Sequence, residues 1–181
     1  MIPKKIEEAF NDQVKYELES AYIYLSMAAW FEAEGLAGMA RWMRAQVQEE
    51  VTHAMRFYKH ILERGGRVRL QPVAAPPSEW KSALDAFEAA YEHEKFITGR
   101  IDLLSKLSQA ENDFASRTML QWFVDEQVEE EDNTSRVAQQ LKLVGSDGRG
   151  ILMLDRELGT RTFVLAPDLT ALYAQAAAAG A

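Results

Sequence analysis

Between Ile6 and Val144 the chain alternates long stretches of helical apolar periodicity with connections of very unequal length, and those lengths decide how it can fold. The first stretch runs from Ile6 to about Ala33, with apolar residues at 6, 10, 14, 21, 24, 28 and 31. Gly35 and Gly38 punctuate a short link, and a second stretch continues to about Arg64, where Gly65 and Gly66 stop it. Residues 65–82, GGRVRLQPVAAPPSEWKS, hold three of the five prolines and no helical stripe. Ser82, with Asp85 three residues on, opens a third helix to about Ala110. The ENDF stretch at 111–114 turns the chain into a fourth, which lasts to about Val144. Four helices of roughly 27–32 residues are each ~40–48 Å long. The short links pair helices one and two, and three and four, as antiparallel neighbours. The middle link, roughly 17 residues, reaches ~55 Å when extended, enough to cross the bundle and start helix three parallel to helix two. The pattern predicts an all-α, antiparallel four-helix bundle with one long crossover and a short fifth helix from about Gly150 to Leu158. One domain, residues 1–163, is expected, followed by an Ala-rich tail, 164–181, with little to bury and loosely ordered.

Each long helix interrupts its own apolar stripe. Glu17 lies between Val14 and Ala21, and Glu94 between Tyr91 and Ile101. Glu50 and His53 share a face with Met43, Gln46 and Phe57, and Gln127 and Glu130 break the stripe through Leu120, Phe123 and Val137. The spacings repeat. Glu17 to Glu50 and Glu94 to Gln127 are both 33 residues, and a 77-residue offset carries 17, 50 and 53 onto 94, 127 and 130. The neighbours Glu49 and Glu126 obey the same offset. Two hairpins therefore present matching polar groups at matching heights. One buried carboxylate paired with Arg or Lys is common. Several that converge repel one another and cost several kcal/mol each unless protons or cations intervene. No Lys or Arg stands beside them on these stripes, so a multivalent cation is the expected partner.

Ligand chemistry narrows the ion. The set is oxygen-rich with one imidazole, and the chain has no cysteine, which excludes thiolate sites, disulfides and thiol catalysis. Such a set is poor for structural zinc and suited to iron or manganese. Two ions fit the count, one beside His53 and one beside Gln127 and Glu130, with Glu50 placed to bridge. Tyr24 and Trp122 stand where oxidisable groups near such a centre would stand, although each alone reads as a core aromatic. The net charge of −8 without a basic cluster argues against nucleic acid. No signal peptide or membrane-length apolar run is evident, so the cytoplasm is the expected location.

The Gln127-x-x-Glu130 pair, together with YELESAYIYLSMA, EEVTHAM, RGGRV, PPSEW, YEHE and WFVDEQVEEE, resembles the non-haem prokaryotic ferritins over residues 5–163. That resemblance implies a ferritin-like fold and a ferroxidase that oxidises Fe²⁺ with O₂ or peroxide and stores ferric oxyhydroxide inside a homo-oligomeric shell. It implies one iron held by Glu17, Glu50 and His53, and a second by Glu94 and Glu130, with Glu50 bridging and Gln127 close by. A third iron would use Glu49, Glu126, Glu129 and a shared Glu130; Tyr24 matches the family's near-site tyrosine. For VEEED taken alone, a solvated acidic face is the plainer reading. Haem is not expected, because bacterioferritins carry His where Glu130 stands and a haem-binding Met where Val51 stands. Ferritin shells are commonly octahedral with twenty-four subunits, and a related archaeal type is more open. The rival readings are a di-iron oxidase or peroxidase without storage and a helical scaffold with an incidental metal. Rubrerythrin-type peroxidases carry a cysteine-ligated iron that this chain cannot supply.

Overall fold

The computed structural model describes residues 1–165 and 169–170. Among the described residues the chain forms the helices α1 (Lys4–Ala33), α2 (Ala37–Glu63), α3 (Ala83–Ala110), α4 (Phe114–Val144) and α5 (Gly148–Leu158). α1 and α5 each begin two residues before the expected positions. Pro3 supplies the extended residue before α1, and the Asp147 side chain accepts from the N–H groups of Arg149 and Gly150 to open α5. At α3, Ser82 accepts from the Asp85 N–H at 3.2 Å, the cap that the sequence led us to expect. The 111–113 turn is closed by Asn112 in the left-handed region at φ 54°, a conformation asparagine tolerates. The expectation for the Ala-rich tail falls outside the described residues except at positions 164, 165, 169 and 170.

α1 packs most extensively on α2, and α3 on α4, while α5 lies against α2 and α4. The long connection is tied along α1 in order. Asn11 donates to the Arg67 carbonyl at 3.0 Å, Gln71 donates to Asp12 at 2.7 Å, and Ser26 donates to the Pro77 carbonyl at 2.6 Å. Trp80 then meets Trp30 edge-on at 5.8 Å. The crossover thus runs alongside α1 from its first third to its C-terminal end. α3 consequently starts beside the end of α1 and runs antiparallel to it.

The core forms two apolar clusters. One holds Tyr24, Met27, Phe31, Met39, Met43, Phe87 and Leu141; the other holds Ile6, Phe10, Val14, Phe57, Ile61, Ile101, Leu120 and Phe123. On every long helix the step from one cluster to the other passes through buried polar groups: Glu17, then Gln46, Glu50 and His53, then Glu94, then Gln127 and Glu130. Each large side chain that is fully buried contributes about 1.5–3 kcal/mol. Two such clusters can hold a polar layer between them that would not hold itself together.

Candidate metal centre

The layer is assembled by helical register. Glu50 and His53 lie one turn apart on α2, and His53 Nδ1 stands 3.3 Å from Glu50 Oε2. Glu17, opposite on α1, brings a carboxylate oxygen to within 4.8 Å of both. Gln13, one turn earlier, donates to Glu17 Oε1 at 3.0 Å. The remaining oxygens of this pair, Glu17 Oε2 and Glu50 Oε1, are buried without a hydrogen-bond partner. A buried carboxylate oxygen without a donor is costly, and two in one ligand group call for a cation.

The other face of His53 belongs to a second group. Its Nε2 lies 3.7 Å from Glu126 Oε1, and His53, Glu126 and Glu130 again offer atoms mutually within 4.8 Å. Gln46 donates to Glu130 Oε2 at 2.9 Å. Glu94 is reached from two sides, by the Tyr24 hydroxyl, which donates to Oε1, and by Gln127, whose Nε2 lies 3.4 Å from Oε2. That Gln127 nitrogen also faces the Glu94 carbonyl at 3.2 Å and Thr98 Oγ1 at 3.3 Å. A backbone carbonyl only accepts, so Gln127 must turn its amide nitrogen toward Glu94. Thr98 in turn donates to Glu131 at 2.6 Å.

Burial governs the charge of the layer. It pushes the Glu50, Glu94 and Glu130 carboxyls up to about 8 and raises Glu17 as well. Burial opposes the His53 imidazolium, yet the charges of Glu50 and Glu17 and the contacts with Glu126 and Glu50 hold it well above its ordinary value. Tyr24 is raised well above 10 by burial and by the charges of Glu94, Glu50 and Glu130. Protons stand in for cations here. The hydrogen-bond donors Gln13, Gln46, Tyr24 and Gln127 are all neutral.

Of the residues expected at the site, the structure gathers Glu17, Glu50 and His53 in one group, and Glu126 and Glu130 with His53 in the other. Glu94 joins through Tyr24 and Gln127. Glu49 is turned to Arg161 at 2.5 Å, and Glu129 is exposed on α4 outside both groups. Trp122 meets the His53 ring edge-on at 5.5 Å, with the Arg56 guanidinium 3.7 Å over its own ring. Sequence reasoning missed the supporting roles of Gln13, Gln46, Thr98 and Arg161. The two glutamines did leave a signal. They are separated by the same 33 residues as Glu17 and Glu50, one turn ahead of each. Thr98 and Arg161 left none.

Residues 7–144 match the family model described as a ferritin-like domain. A bacterial non-heme ferritin of Bacteroides fragilis is 38% identical over 161 residues, which is 89% of this chain and 100% of the relative. Among solved structures, an engineered closed form of the Archaeoglobus fulgidus ferritin aligns with a TM-score of 0.90 at 49% identity, covering 91% of this chain and 100% of that one. The open-pore ferritin of the same archaeon aligns with a TM-score of 0.89, also at 49% identity, over 90% of this chain and 100% of that one.

Proposed function

The chain belongs to the ferritin family, and on that footing we propose that it is a ferroxidase that stores iron. In this reading Fe²⁺ is the substrate. One ion is bound by Glu17, Glu50 and His53, and a second by Glu94 and Glu130, with Glu50 between them. Gln127 and Tyr24 hold Glu94 in place. Glu49, Glu126 and Glu129 with Glu130 form a third, outer position, through which an ion passes to or from the mineral. O₂ or peroxide takes the electrons, and ferric oxyhydroxide accumulates inside a shell of many copies, of the twenty-four-subunit or more open kind. The cytoplasmic setting belongs to the same proposal.

The observation that carries this reading is the buried group of Glu17, Glu50 and His53, in which Glu17 Oε2 and Glu50 Oε1 have no hydrogen-bond partner. Carboxylates suit a substrate ion. Their charge favours Fe³⁺ over Fe²⁺, yet they can move between bridging and terminal modes as product leaves. At neutral pH the carboxyls near 8 must release protons as the ions bind, so binding is coupled to proton loss. The test is the mass of the native particle, with iron counted after aerobic loading. Storage requires loading far beyond about three ions per chain. Saturation at two or three would leave an oxidase or peroxidase without storage.

A further inference from the structure

Arg161 sits just beyond α5, yet its guanidinium reaches α2. Nη2 is 2.5 Å from Glu49 Oε2, and Cζ stands 4.3 Å over the ring of Trp42. The other terminal nitrogen, Nη1, is buried without a hydrogen-bond partner. In the proposed outer position Glu49 would join Glu126 and Glu130, which already gather with His53. Arg161 therefore places a fixed positive charge on a rim carboxylate of that outer position. Beside the guanidinium lies an open cleft of about 430 Å³, lined in part by Arg41, Arg44 and Gln48. Arg44 is already paired with Glu32 at 2.5 Å, so the cleft leaves room for a displaced Arg161 without offering it that carboxylate unshared.

We propose that Arg161 is a built-in competitor for the rim of the metal centre: it holds Glu49, so a cation bound at Glu126 and Glu130 must displace the guanidinium before Glu49 can ligate it. The consequence is a loosely held outer ion. A fixed cation beside a divalent ion repels it, and a carboxylate engaged in a bidentate-capable, charge-assisted bond is released only at a cost. The contacts of Arg161 are with Glu49 and Trp42, so the competition falls on the outer position rather than on the group of Glu17, Glu50 and His53. This role deepens the reading of the site as an iron-oxidising centre and rests on it.

The test uses Zn²⁺, which is not oxidised, on the full chain in its assembled form. Calorimetric titration gives the affinities, and diffraction at the zinc edge assigns the ions to positions. In Arg161→Gln the outer ion should bind about tenfold tighter or more, while Arg161→Lys, which keeps the charge, should stay near the parent. Glu49→Gln in the parent background should change outer affinity less than about threefold, because Glu49 is already engaged. In the Arg161→Gln background the same change should abolish the gain. Unchanged or weaker binding in Arg161→Gln, or a gain that survives Glu49→Gln, would overturn the proposal. If Arg161→Gln does not assemble, Glu49→Gln alone still decides: a tenfold loss of outer affinity would show Glu49 to be a free ligand. Because Zn²⁺ binding is read apart from oxidation, a protein that fails to oxidise Fe²⁺ refutes the ferroxidase reading without deciding this one.

Discussion

Glu50, Glu94 and Glu130 each have to serve as carboxylates where burial favours the acid. Their folded-state values of about 8 exceed the ordinary 4.5, so the folded metal-free chain holds protons that the unfolded chain gives up. That preference stabilises the fold fully below about pH 4.5 and is lost as the pH rises through about 8. His53, also raised, acts in the same direction. The metal-free protein should therefore melt at a lower temperature at pH 9 than at pH 6, as followed by circular dichroism at fixed ionic strength. A melting temperature that rose over that interval would contradict the assignment. It should nonetheless stay helical after chelation, since two apolar clusters flank the layer. Loss of most helix signal would make the metal structural. Tyr24→Phe removes a donor that favours the charged form of Glu94, so half-maximal Zn²⁺ binding should move to higher pH. No shift in the binding titration would remove Tyr24 from that role. At this scale the interruptions at 17, 50, 53, 94, 127 and 130 were legible because charge inside an apolar stripe is conspicuous. Gln13, Gln46 and Thr98 were not singled out, because uncharged polar residues are ordinary on helices. Arg161 reaches Glu49 across 112 residues, a pairing that no local pattern encodes.

The helices themselves were legible from period and punctuation, and so was the length of the connection that makes α2 and α3 parallel. The docking of α5 was harder to see. Gly145, Gly148 and Gly150 surround its start and obscure the Asp147 cap. Its seat on α2 depends on a close backbone approach. A Cβ added at Gly38 would stand 1.7 Å from the Asp155 carbonyl oxygen, while the Asp155 side chain accepts from the Met39 N–H at 2.8 Å. Gly38→Ala should therefore push α5 off α2 and cost about 1–3 kcal/mol or more. Gly99→Ala, on α3 with nothing within 4 Å of the new Cβ, should leave stability unchanged or raise it by up to about 1 kcal/mol. Denaturant melts of the two variants compare them directly. Equal effects would mean that the α2–α5 contact is not limiting.

For the molecule as a whole, two hairpins with matched offsets close on a layer that neither could form alone. α1 and α2 supply Glu17, Glu50 and His53, and α3 and α4 supply Glu94, Gln127 and Glu130. The two apolar clusters on either side carry the stability, which leaves the layer free to be chosen for its chemistry. We propose that this layer is where iron is oxidised. That proposal is tested most directly by stopped-flow absorbance of ferric product after mixing Fe²⁺ with O₂, in the parent protein and in Glu50→Ala/His53→Ala. On that reading the parent shows a fast phase complete at about two Fe²⁺ per chain. In the variant that phase is lost, with helix content and assembly retained. Parent-like rates in the variant would contradict it.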